Sequence, residues 1–242
     1  MRLILVAIFL ILYGIFTIPM CLVEWVAGKI SPIKKAVIAQ KCVAAGFKII
    51  LFISGVKLTV KGEENILHGR AALYTYNHRG FFDILVGYAT APLCSSYVSK
   101  KEIETVPMIS WWMKCMNCLF LDRKDIKQGM KTILEGVELM KNGTSVYIAP
   151  EGPRNKGEGV LKFHDASFKL ADKSKCPVVP VAISNTAEVF EKHLPWIHGQ
   201  HVIIEYCTPI YMEDLDKTEK KHIGETVRQI ISEKLQQNAN EL

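Results

Sequence analysis

The chain has no run of five or more basic residues, no Gly-x-Ser-x-Gly turn, no internal repeat and no low-complexity tract. Each absence closes a route. Lys plus Arg number 30 against 24 for Asp plus Glu, a net charge of +6, and without a basic run the chain is not read as a nucleic-acid binder. So mild a surplus fits either a lysine-rich surface or a protein that rests on anionic lipid or handles a phosphorylated substrate. Lacking the Gly-x-Ser-x-Gly elbow, a serine hydrolase would have no nucleophile turn. Metal ligands are short as well. Cys115-x-x-Cys118 has no second pair at a suitable distance, and a structural zinc site needs both, so no metal is assigned. The seven cysteines are odd in number and scattered, as expected of reduced thiols rather than a disulfide framework.

Charge is also missing from Leu3 to Val23, and this absence is informative. A helix rising about 1.5 Å per residue over that stretch matches a hydrocarbon core of roughly 30 Å. Only Tyr13, Gly14, Thr17 and Pro19 interrupt its apolar character. A secretory signal has a shorter apolar region and a small-residue cleavage site, whereas Glu24, Trp25 and Lys29 follow here, so a retained membrane anchor is expected. Gly14 and Pro19 leave two arrangements open, crossing the bilayer or lying in its interface. Lys29, Lys34, Lys35, Lys41 and Lys48 follow the anchor and Arg2 alone precedes it, which places the larger part in the cytoplasm. Ala36 to Val56 reads as a second helix. Its lysines at 34, 41 and 48 recur every seven residues, a stripe suited either to the headgroup boundary or to a helix packed on the globular part.

From Val56 onward, short β-prone runs alternate with helical ones. Strands are expected around 56–60, 71–76, 97–99, 118–121, 144–149, 178–183 and 202–206. Helices are expected around 109–116, 124–141 and 218–237. This order predicts an α/β fold, a mainly parallel central sheet flanked by helices and preceded by N-terminal membrane-associated helices. The division expected is an anchor with its amphipathic helix over 1–56 and one domain over 57–242, a length suited to a single α/β domain.

Ligands of such sheets bind beyond the carboxyl ends of the strands. Asn77-His78, Asp122-Arg123 and Glu151-Gly152-Pro153-Arg154 each directly follow a predicted strand, which argues for one site. A turn at Gly80 with a helix starting near Phe81 would fold Asp83 back toward His78, fixing the imidazole tautomer and leaving the other nitrogen as a base. Taken alone, a His and an Asp so spaced are more often a surface pair than a dyad. Arg123, Arg154 and Lys100 fit a phosphomonoester site, because guanidinium forks grip phosphate in a bidentate way. They fit surface ion pairs too, for example Arg123 with Asp122 or Asp125. Glu151 is an acceptor beside a turn, suited to a hydroxyl, and backbone N–H groups near Gly152 suit a developing negative charge.

Four blocks occur in order: Asn77-His78-x-x-x-x-Asp83, Phe120-Leu121-Asp122-Arg123, Pro150-Glu151-Gly152-Pro153-Arg154 and Val179-Pro180-Val181. Over roughly residues 45 to 210 the chain resembles the 1-acylglycerol-3-phosphate acyltransferases, a family of glycerolipid acyltransferases. The resemblance implies direct acyl transfer from acyl-CoA or acyl-carrier protein, a co-substrate and not a cofactor, to the hydroxyl of lysophosphatidic acid. It makes His78 the general base, Asp83 its orienting group, and Arg123, Arg154 and Lys100 the phosphate ligands. Glu151 and Gly152 would hold the glycerol backbone, and Val179-Pro180-Val181 would shape the acyl-chain region. Membrane lipids are the implied surroundings. Three positions depart from the pattern: Gly80 stands where many members carry Ser, Pro153 replaces a Thr or Ser, and Phe163-His164-Asp165-Ala166 stands where Phe-Lys-x-Gly is common. They bear on the acceptor more than on the chemistry. An acceptor other than lysophosphatidic acid is the enzyme alternative. A non-catalytic lipid-binding relative is the other, though it would be expected to have lost His78 or Asp83.

Overall fold

Side chains alternate across each strand, and that alternation divides the core in two. Tyr74, Tyr76, Tyr147, Val179, Val181, Ile183, Val202 and Ile204 point to one side, while Leu73, Val146, Ile148, Val178 and Ala182 point to the other. The computed structural model describes residues 1–242 as a seven-stranded sheet between two layers of helices. In chain order the elements are α1 Arg2–Ile30, α2 Pro32–Ile53, β1 Lys57–Lys61, β2 Leu73–Tyr76, α3 Phe82–Thr90, β3 Ser95–Lys100 and α4 Pro107–Cys115. They continue with β4 Leu119–Leu121, α5 Ile126–Lys141, β5 Ser145–Ile148, α6 Lys169–Ser174, β6 Val178–Ser184, β7 His201–Tyr206 and α7 Lys217–Ala239. The predicted strands and longer helices are present with shifted ends; α6 was not anticipated.

The strand order is β1-β7-β6-β2-β5-β3-β4. All neighbours are parallel except β6 and β7. The carboxyl ends of β6, β2, β5, β3 and β4 therefore share one edge, and the polar segments predicted from sequence emerge there. Register aligns Tyr74 with Tyr147 and Tyr147 with Tyr97, giving stacked rings 4.5 and 4.7 Å apart across three strands. Such pairs add ~0.5–1.5 kcal/mol each beyond area burial and stiffen the middle of the sheet. Asp125 caps α5 by accepting from the N–H groups of Lys127 and Gln128 at 2.9 and 3.1 Å. Asp216 and Glu219 form a capping box on α7.

Helices α1 and α2 are long and apolar enough to cross a membrane. They form an antiparallel hairpin laid along the domain. The inner face of α1 is its polar one: Thr17 accepts a hydrogen bond from the indole of Trp112 at 3.0 Å, and Glu24 is buried. Tyr13 lies so close to Gly46 that a Cβ there would come within 2.8 Å of its ring. The outer face carries exposed Ile4, Ile11, Ile15, Ile18, Leu22 and Trp25. The usual arrangement of a water-soluble helix is inverted. At the other end of α1, the Arg2 guanidinium abuts Gly55 and Gly199. Between Arg2 and Thr17, about 22 Å of helix at 1.5 Å per residue lies against the body of the protein.

Candidate active site

β2 ends at Tyr76, and the next residue locks the loop that follows. Asn77, buried, exchanges two hydrogen bonds with the backbone of Ile183 on β6, at 2.9 and 2.8 Å. The chain then turns through His78-Arg79-Gly80 into α3, whose first turn carries Asp83. Asp83 is wholly buried. Its Oδ2 lies 2.7 Å from Nδ1 of His78 and accepts from the N–H groups of Arg79 at 2.7 Å and Gly80 at 2.9 Å. Its Oδ1 accepts from the hydroxyl of Thr186. The turn predicted from sequence thus brings His78 and Asp83 together. The His78 ring is 19% exposed, and its Nε2 has no hydrogen-bond partner in the chain, so the face away from Asp83 is open to a reactant.

Glu151 follows β5 and lies beneath this loop. The sequence suggested an acceptor beside an exposed turn; the structure gives both its oxygens backbone donors instead. Oε1 accepts from His78 N–H and Oε2 from Leu161 N–H, each at 2.9 Å. The residue is buried, and burial raises its pKa against the opposing pull of those two N–H groups. Asn155 N–H donates to the His78 carbonyl at 2.8 Å, so both backbone groups of His78 are tied to the 151–155 segment. Gly152, at φ 85°, occupies the left-handed region, and its N–H donates to Ala149 at 3.1 Å. Of the N–H groups near Gly152 expected to face a developing charge, its own is already engaged.

The basic groups reach the same edge from separate strands. Arg123, beyond β4, donates through Nη2 to the Gly152 carbonyl at 2.8 Å. It makes no ion pair with Asp122 or Asp125; Asp122 instead accepts from Lys124 N–H and pairs with Lys101 at 3.5 Å. Arg154 extends over the ring of Phe81, Cζ to centroid 3.9 Å, with Nη1 at 3.2 Å from Oε1 of Glu191. Lys100, the last residue of β3, is exposed and unpaired, at the rim. Val179 and Val181 lie in the core facing the tyrosines, and Pro180 between them pairs in register with Thr75 of β2. No group of three or more His, Cys, Asp and Glu side chains clusters as metal ligands would.

Three neighbours went unread in the sequence. Thr186 and Glu191 follow β6 in a segment without any motif, although the strand-end rule that singled out the other clusters applies equally to Thr186. His164 stands out in the sequence only as a departure from the family pattern. A Cβ on Gly152 would lie 3.7 Å from its Nε2 and 3.7 Å from Cζ of Arg123, so the three share one corner.

Residues 57–184 match the family model described as acyltransferase. Over 192 residues the chain is 28% identical to a 1-acyl-sn-glycerol-3-phosphate acyltransferase of Borreliella burgdorferi, covering 79% of this chain and 77% of that one. A protein of the same name from Saccharomyces cerevisiae is 30% identical over 195 residues, 79% of this chain and 63% of its own. The match therefore spans less than two thirds of the yeast relative. Among solved structures, the 1-acyl-sn-glycerophosphate acyltransferase PlsC from Thermotoga maritima superposes with a TM-score of 0.73 at 22% identity, covering 83% of this chain and 79% of that one. At that identity the likeness is one of fold.

Proposed function

Because this chain belongs to the acyltransferase family, we propose that it transfers a fatty acyl group from a thioester to the free hydroxyl of lysophosphatidic acid, forming phosphatidic acid. The observation that carries the reading is the His78–Asp83 pair: a fully buried carboxylate on Nδ1 and an unpartnered Nε2 at the sheet's carboxyl edge. The relatives named above supply the acceptor class.

His78 Nε2 takes the proton of the acceptor hydroxyl as its oxygen bonds to the thioester carbonyl carbon. Asp83 holds the ring orientation and faces the imidazolium that results. The tetrahedral intermediate collapses by breaking the carbon–sulfur bond, and the thiolate leaves with the proton from His78. Ester and thiol are the products; no covalent enzyme intermediate, metal or cofactor takes part. Arg123, Arg154 and Lys100 bind the acceptor phosphate. Glu151 and Gly152 act on the glycerol backbone through the loop they fix. The donor is acyl-CoA or acyl-carrier protein.

Residues 1–56 attach the protein to lipid, and residues 57–242 carry the reaction. Support for attachment comes from the apolar outer face of α1, and support for an in-plane arrangement comes from the body of the protein lying along that helix. The domain then sits on the cytoplasmic face, where the lysines that follow α1 meet anionic headgroups.

The test is acyl transfer by detergent-solubilised protein. Donors are labelled acyl-CoA and, separately, acyl-carrier protein; acceptors are lysophosphatidic acid, glycerol phosphate and lysophosphatidylcholine. Product from lysophosphatidic acid that disappears in His78→Ala is expected. Activity surviving in His78→Ala sinks the mechanism, and preference for another acceptor sinks the substrate.

A further inference from the structure

Glu191 lies outside every sequence block and outside the family match, yet it touches two of them. Its Oε1 accepts from Phe81 N–H at 2.6 Å and from Arg154 Nη1 at 3.2 Å. The carboxylate is mostly buried, and Oε2 has no hydrogen-bond partner. Arg154 is therefore held on two sides, by a charge on one edge and by the face of Phe81 beneath it. A guanidinium has five N–H donors in a fixed plane. With one directed at Glu191, the outer edge of the fork stays available, and the Arg154 side chain is 36% exposed.

Gly80 belongs to the same arrangement. Its φ is not in the left-handed region, so the backbone does not demand glycine there; space does. A Cβ on Gly80 would lie 2.6 Å from Oε2 and 2.9 Å from Cδ of Glu191. Any larger residue displaces that carboxylate. Gly80 and Glu191 are thus a matched pair, one departing from the common pattern and the other filling the room it leaves.

We infer that Glu191 is a positioning residue for the acceptor phosphate: it fixes the plane of Arg154 so that the free edge of the guanidinium meets the phosphate, and Gly80 makes room for it. This rests on the reading of Arg154 as a phosphate ligand. A pre-oriented fork loses less freedom on binding than a loose one, so the effect is on recognition of the phosphate and not on the chemical step.

The experiment compares kcat and KM for lysophosphatidic acid with those for monoacylglycerol, which lacks the phosphate, in wild type, Glu191→Ala, Glu191→Gln, Gly80→Ala and Arg154→Ala. The expected outcome is a KM for lysophosphatidic acid raised about fivefold in Glu191→Ala, the factor appropriate to a partly exposed ion pair, with kcat within about twofold. The preference for the phosphorylated acceptor falls by the same factor, and Glu191→Gln, which keeps the acceptor oxygen, restores most of it. Gly80→Ala raises KM in the same direction and adds nothing in the Glu191→Ala background. If Arg154→Ala lowers the preference and neither Glu191→Ala nor Gly80→Ala does, the inference about Glu191 fails alone. Should Arg154→Ala itself leave the preference intact, the phosphate reading on which it stands fails. Equal losses on both acceptors would make Glu191 merely structural and overturn the inference; if Glu191→Ala does not fold, Gly80→Ala and Glu191→Gln decide.

Discussion

Thr186, two residues past the end of β6, donates its hydroxyl to Oδ1 of Asp83, the carboxylate oxygen that His78 does not use. The base is thereby tied to two strands at once: His78 follows β2, and the group that orients its partner follows β6. Thr186→Val preserves shape and removes the donor, leaving Oδ1 buried and unpaired at a cost of ~1–3 kcal/mol of stability. Part of that cost is expected in the transition state, where His78 carries the proton, so kcat falls about tenfold per ~1.4 kcal/mol while KM holds. Thr186→Ser recovers most of the loss. Urea unfolding and steady-state kinetics on the three proteins check this; an unchanged kcat in Thr186→Val would show that Oδ1 needs no donor.

Glu151 makes a prediction about pH. Its carboxyl is raised above its ordinary 4.5, because burial outweighs the backbone donors on its two oxygens. A raised pKa means that the folded state favours the neutral acid. The stability this group contributes is then full below its unfolded pKa and is lost as pH rises through the higher folded value. Glu151→Gln does not titrate, but it turns an amide toward one of the two backbone N–H groups and is less stable throughout. The stability difference, wild type minus variant, is expected to widen as pH drops from neutral toward about 4.5, the reference carboxylate range. Paired urea titrations at several pH values read it directly. A difference that is flat, or that widens toward alkaline pH, contradicts the burial argument.

What the sequence made legible follows from local physics. Strand positions showed through alternation, and the strand-end rule then gathered His78, Arg123 and Glu151 at one edge before any contact was known. Asp83 was readable because a turn at Gly80 is a short-range matter. Glu151 was placed at the right edge with the wrong surroundings, since nothing local reveals that Leu161 N–H, ten residues on, reaches back to it. Glu191 was invisible for the same reason: its partners Phe81 and Arg154 are far away in the chain. The Tyr74–Tyr147–Tyr97 stack was equally hidden, being a product of strand order and register. The apolar length of α1 was plain, but its polar inner face acquired meaning only when Trp112 was found against Thr17.

The hairpin supplies the last prediction. Ile18 is 71% exposed on the outer face of α1, while Thr17 beside it is engaged by Trp112. If the outer face lies in lipid, Ile18→Glu places a charge there, and central positions in a bilayer penalise charge by ~2.5–3.5 kcal/mol. Vesicle partitioning should fall by up to about two orders of magnitude, with the fold intact by circular dichroism. High salt should release little of the wild type, because apolar burial, unlike headgroup attraction, is not screened. A tag placed before Arg2 separates the two arrangements the sequence left open. In sealed vesicles bearing the domain outside, an in-plane hairpin leaves the tag open to added protease, whereas α1 crossing alone, with α2 at the interface, protects it inside the lumen. The contacts of Arg2 with Gly55 and Gly199 hold the first turn of α1 beside the domain, so digestion is the expected result. Protection would mean that the hairpin separates from the body of the protein when lipid is present.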